Sequence, residues 1–200
     1  KIQGKLNAKQ LLAFIPPEVV CANPKLRDVT AKFHKAGVET GTEKVTVHAF
    51  DIPYAFFFER TVEQAVNLLE VGERSDTASL KFWKAALPKA TVYADIEKAA
   101  GKPLDIIVSS GSSNEQAWGE RFQELFPKLR AGGWYVIEGY NPSSETTEKM
   151  FQMIQVMHRM YLRKEFVNYT VWNGVDHEVK SVHFYDQIIF IEKGEAMCRW

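Results

Sequence analysis

Cysteine is scarce in this chain: Cys21 and Cys198 are the two thiols among 200 residues, far apart in sequence. They supply neither a disulfide framework nor a metal-ligand spacing, so two unpaired thiols are expected. Net charge is lacking as well. Lys plus Arg and Asp plus Glu each number 25, which leaves no global basic field for nucleic acid or an anionic membrane. Apolar runs such as 54–58 and 188–191 stay far below the ~20 residues that span a bilayer. The sequence holds no internal repeat and no low-complexity tract. It begins at Lys1 rather than a methionine, so its lack of a leader says nothing about location.

What is present is a globular composition, 46% apolar and 25% charged, in a chain long enough to bury a core. Disorder, a collagen-like rod and a disulfide-dependent miniprotein are excluded. Residues 8–15 have helical periodicity, stopped by Pro16 and Pro17, and Asn23-Pro24 marks another turn. The spacing predicts a helix over 26–36, ending near Gly37. A polar stretch from Gly41 leads to an aromatic segment, 50–58, expected to pack a helical part (residues 1–60) onto a core domain (61–200).

From residue 66 the pattern alternates. An apolar run, 66–72, ends on glycine; 79–87 has helical spacing; 91–94 and 104–109 are strand candidates. A long helix is predicted over 114–129, capped by Ala131-Gly132-Gly133, and 134–138 reads as a buried strand. Residues 144–164 predict a further helix, and 179–185 with 187–191 a strand pair turning at Asp186. The fold class is α/β: a mostly parallel sheet covered on both faces, with an antiparallel pair at its C-terminal end.

Ligands of open α/β sheets lie at the carboxyl ends of the strands. Here those ends carry Glu70 and Gly72, then Ser109, Ser110, Gly111, Ser112 and Ser113, then Glu138. Gly72 lets backbone approach a ligand, although any turn from strand to helix uses glycine this way. The serine loop offers N–H groups and hydroxyls to an anion at a helix start, or simply caps the helix. His183 and Asp186 could form a general base, but strand alternation turns neighbours to opposite faces, so His183, Tyr185 and Asp186 are expected to be structural. His158 and His177 have no partner at metal spacing, and Met150, Met153, Met157 and Met160 suit a packing or homo-oligomer face.

The blocks VNLLEVG…SLKFW…LPKATVYA, LDIIVSSGSSNEQAWGERFQELFPKLRAGGWYVIEGYNPS and VKSVHFYDQIIFIEKG, in that order, resemble one family. It is the class I S-adenosylmethionine-dependent methyltransferases, in their macrolide-sugar O-methyltransferase and cephalosporin-hydroxylase-like group. GTEKVTVHAFDIPY is similar to that group's opening segment, and the resemblance spans residues 41–194. It implies a Rossmann-like sheet, S-adenosylmethionine as cofactor and a small-molecule or sugar hydroxyl as acceptor. It also implies cofactor-binding positions at Glu70, Gly72, Ser109, Ser110, Gly111, His48 and Tyr54, with Lys44 nearby. For His48 and Tyr54 the competing role is packing.

Departures from the family pattern are as informative. Relatives read Asp-Asp-Gly-(Ser or Gly)-His after their fourth strand and Glu-Asp after the fifth, and these residues bind a divalent metal. This chain has Ser109, Ser110, Gly111, Ser112 and Ser113, and then Glu138-Gly139. Neutral hydroxyls are poor ligands for a hard dication, so no metal is expected. Relatives also place a carboxylate at the end of the second strand, followed by a third strand. Here nine residues, 95–103, separate the second-strand candidate from the next, where a parallel crossover usually takes a dozen or more. Either part of the second and third strand region has been lost, which is the expectation, or Ala94 and Asp95 are not natural neighbours. Asp95 is a candidate remnant of the ribose carboxylate. The expected function is a metal-independent O-methyltransferase. The alternatives are an inactive methyltransferase-fold binding protein and a different enzyme reusing the crevice.

Overall fold

The computed structural model describes residues 23–72, 77–110, 115–139, 178–185 and 187–195, excepting the side chains of 115–119. The chain divides into two compact units. One runs to Ala65 and takes in residues 77–91; the other holds 66–72 and the chain from Val92 onward. The helix after the first strand groups with the N-terminal part.

The first unit contains α1 (Pro24–Thr40), α2 (Glu43–Thr46), α3 (Asp51–Phe58) and α4 (Thr77–Ala86). Asn23 caps α1, its side chain accepting from the Leu26 N–H at 3.3 Å, and Pro24 opens the helix where its missing N–H costs nothing. Contrary to expectation, α1 does not end near Gly37; it continues to Thr40 and closes on Gly41. Gly37 is a point of close approach instead of a stop. A Cβ there would lie 2.2 Å from Val45 Cγ2, so Val45 packs directly on the helix backbone. The unit's core is aromatic: Tyr54 lies within 4.8 Å of the Trp83 ring and 5.7 Å of Phe58, centroid to centroid, with Phe33, Phe50 and Phe82 around them.

The second unit is built on β1 (Asn67–Gly72), β2 (Thr91–Tyr93), β3 (Leu104–Ser110), β4 (Leu129–Glu138), β5 (Val179–Tyr185) and β6 (Ile188–Lys193). The strand order is β2-β1-β3-β4-β6-β5. β1, β3 and β4 pair in parallel, and β6 runs antiparallel to both β4 and β5. This is the Rossmann-like sheet with a C-terminal antiparallel pair. β3 is buried along its whole length, as a central strand covered on two faces must be. On one face Leu69, Val71, Ile107, Tyr135, Ile137, Ile189 and Ile191 pack with Phe122, Leu125 and Phe126. Each such burial is worth about 1.5–3 kcal/mol, which fixes the register of strand against helix.

α5 (Glu115–Leu125) is shorter than predicted. Pro127 turns the chain into a 3-10 segment, Phe126–Lys128, and Lys193 of β6 satisfies the carbonyls of Phe126 (3.4 Å) and Pro127 (2.9 Å). The cap is therefore a lysine from another strand. Ala131, Gly132 and Gly133, expected to cap the helix, lie inside β4 where its register against β3 shifts. The predicted helices over 8–15 and 144–164, both cysteines, the four methionines, His158, His177 and Asp186 lie outside the described residues. Among the described residues no helix is long and apolar enough to cross a membrane.

Candidate functional site

From β1 the chain passes to β2 on one side, then crosses back over β1 to β3 on the other. That makes the carboxyl ends of β1 and β3 the switch point, where doubly wound sheets leave a crevice. The parallel register sets Gly72 opposite Ser110 and Ser110 opposite Glu138, with Glu70 two residues back on the same face. Glu70, Ser110 and Glu138 are all buried. Sequence reasoning placed Glu70, Gly72 and Ser110 at a common site, and the sheet brings them together.

Gly72 cannot be another residue. Its φ is +128°, and a Cβ would lie 1.8 Å from the Ser110 carbonyl oxygen. The ends of β1 and β3 are thus drawn together through backbone, and Ser110 Oγ donates to the Val71 carbonyl at 3.4 Å.

The two serines part company. Ser109 alternates to the opposite face, where its Oγ accepts from Arg121 Nη1 at 3.3 Å. Burial pushes the Tyr135 hydroxyl well above the usual phenol range, with the Ser109 hydroxyl and the Arg121 charge pulling the other way. Arg121 escaped the sequence reading. Its signal was there: it lies four residues before Leu125, on the flank of the stripe that faces the sheet. Gly111, and the loops 73–76 and 111–114, lie outside the described residues.

The other expected positions belong to the first unit. Tyr54 is fully buried at the centre of the aromatic cluster, and His48 stacks on Phe50 at 5.2 Å. Lys44 is buried with its Nζ 5.9 Å from the Trp83 ring centroid, a cation–π distance. His183 Nε2 lies 3.1 Å from Ser181 Oγ on the same strand face. Burial lowers the His183 pKa, partly offset by Glu192.

Beyond β2, ten residues lead to β3 without a strand or helix. Asp95 opens this connection: its Oδ1 accepts from the Glu97 N–H at 2.8 Å, and its carbonyl from Ala99 N–H at 3.2 Å. Ala99 is buried against the sheet core and Ile96 packs beside it. Among the described residues no three His, Cys, Asp or Glu side chains are grouped to hold a metal ion.

No protein-family model matches the chain. It is 24% identical over 231 residues to the 8-demethyl-8-alpha-L-rhamnosyl tetracenomycin-C 2'-O-methyltransferase of Streptomyces olivaceus, covering 90% of this chain and 61% of that protein. To the demethylmacrocin O-methyltransferase of Streptomyces fradiae it is 23% identical, covering 94% of this chain and 58% of the relative. The chain thus spans about three-fifths of the length of these curated relatives. Among solved structures it is similar to MycE methyltransferase from the mycinamycin biosynthetic pathway, in complex with Mg and SAH. The TM-score is 0.66 at 22% identity, covering 84% of this chain and 55% of that one. Sheet order and these comparisons agree: the chain has the Rossmann-like fold of the class I S-adenosylmethionine-dependent methyltransferases and is similar in sequence to sugar O-methyltransferases of this group.

Proposed function

We propose that the protein is an S-adenosylmethionine-dependent O-methyltransferase for a hydroxyl of a sugar or other small molecule, and that it works without a metal ion. The observation that supports this reading best is the gathering of Glu70, Gly72, Ser110 and Glu138 at the switch point. Their chemistry suits the cofactor. Two buried carboxylates on one face favour a cationic ligand, and the sulfonium and ammonium groups of S-adenosylmethionine are cations. Asp95 follows Gly72 by 23 residues, near the spacing at which a carboxylate accepts hydrogen bonds from a ribose. When bound, the cofactor supplies an activated methyl group. Glu70, Ser110 and Asp95 hold and orient that ligand, and positioning is most of what an in-line transfer asks of a protein.

Metal independence rests on charge. MycE was solved in complex with Mg, whereas the end of β3 here carries two neutral hydroxyls, Ser109 and Ser110, of which Ser110 faces the crevice. A neutral hydroxyl is a poor ligand for a hard dication. The sugar acceptor class comes from the relatives, whose names specify methylation of rhamnosyl, olivosyl and macrocin compounds. The test is methyl transfer to a panel of glycosylated acceptors in the presence of a chelator. Turnover that survives chelation supports the reading, and turnover restored only by magnesium overturns its metal clause. A second reading, a binding protein that has discarded the chemistry, draws on the short link between β2 and β3. Ligand binding without transfer to any acceptor would favour it.

A further inference from the structure

Three crossovers in the described sheet have unequal lengths. Eighteen residues join β1 to β2 through α4, and eighteen join β3 to β4 through α5, so both are complete helical crossovers. From β2 to β3 there are only ten, in consecutive turns. A parallel crossover usually takes a dozen or more residues with a helix. The match to the tetracenomycin-sugar methyltransferase runs over 231 positions yet uses 90% of a 200-residue chain, so about fifty positions of the alignment have no counterpart here. With the other two described crossovers intact, the link between β2 and β3 is where such a shortfall fits.

We propose that these positions are missing between β2 and β3, and that the site therefore grips its donor at the amino-acid and ribose end while leaving the base uncovered. This rests on the donor site proposed above. Ile96 and Ala99 cover the sheet face that a longer crossover would cover, and they close the core with small apolar volume. Asp95 stays at the end of β2, but it opens a tight turn and is followed by Glu97, Lys98 and Lys102 instead of a further strand. β2 is left as the edge of the sheet with three residues. A nucleoside laid across the switch point meets Asp95 with its ribose and extends past that edge with its base.

A pocket that encloses a base rejects bulk on it, because overfilling a shaped site is costly; an open one does not. The test titrates the whole chain calorimetrically with S-adenosylhomocysteine and with its derivative carrying a benzyl group on the adenine N6. The expected result is saturable binding of both, with dissociation constants within about threefold. Binding of the parent with the benzyl derivative weakened about tenfold or more would overturn the uncovered base while leaving the donor site standing. Binding of neither ligand would overturn the donor site and this inference with it.

Discussion

Gly37 is the residue where local propensity and packing disagree. Alanine in a helix interior normally gains about 1 kcal/mol over glycine. Here the new methyl would meet Val45 at 2.2 Å, so Gly37→Ala is expected to cost about 1–3 kcal/mol. Urea unfolding measures this, and Val45→Ala on the same background should recover part of the loss through coupling of the two contacts. Proximity of this kind is not legible in a sequence. Glycine read as a helix stop is the better guess when the neighbour across the gap is unknown.

His183 gives a pH-dependent prediction at the same scale. Burial depresses its pKa, with Glu192 opposing, so the folded state holds a proton less readily than the unfolded chain does. As pH falls below about 6.5 the unfolded chain takes up the proton first, and stability declines until the folded pKa is reached. His183→Gln should flatten that decline in denaturant midpoints measured across the interval. An unchanged slope would mean that other groups set it. Ser109 and Ser110 show what alternation does reveal: adjacent strand residues face opposite ways, which sends Ser110 to the crevice and Ser109 to Arg121.

At the scale of elements, β1, β3, β4 and the closing pair were legible because a buried parallel sheet writes apolar runs into its strands. The end of α5 was not, because its cap, Lys193, comes from another strand. Nor was the pin at the amino ends of the strands. Asp105 accepts from the Asn67 N–H at 2.6 Å and pairs with Arg130, tying β1, β3 and β4 at the edge opposite the site. Asp105→Asn is expected to cost about 1–3 kcal/mol, since the half-buried Asn67 N–H loses its charged acceptor. Arg130→Gln should cost under about 1 kcal/mol, because the Arg130 side chain is 55% exposed and water replaces the partner. Paired unfolding curves compare them, and equal losses would contradict this division.

For the whole molecule, sequence blocks and fold agree on a methyltransferase sheet, and the candidate site is spread over strands distant in sequence. Glu70, Ser110 and Glu138 meet through parallel register, which depends on crossovers that propensity does not encode. The place of Asp95 after the second-strand candidate was readable, while the use of its Oδ1 in its own turn was not. The aromatic cluster was readable only as packing in general. Its centre, Tyr54, is where the family likeness and the burial of the residue suggest different roles.

The central claim is that Glu70 and the switch point bind the methyl donor without a metal. Calorimetric titration of S-adenosylhomocysteine, in chelator and in magnesium, against the natural chain and Glu70→Gln tests it most directly. The account predicts one saturable site, unchanged by magnesium and weakened about tenfold or more in the variant, as loss of a charged partner requires. No binding at millimolar ligand, or binding that appears only with magnesium, would contradict it.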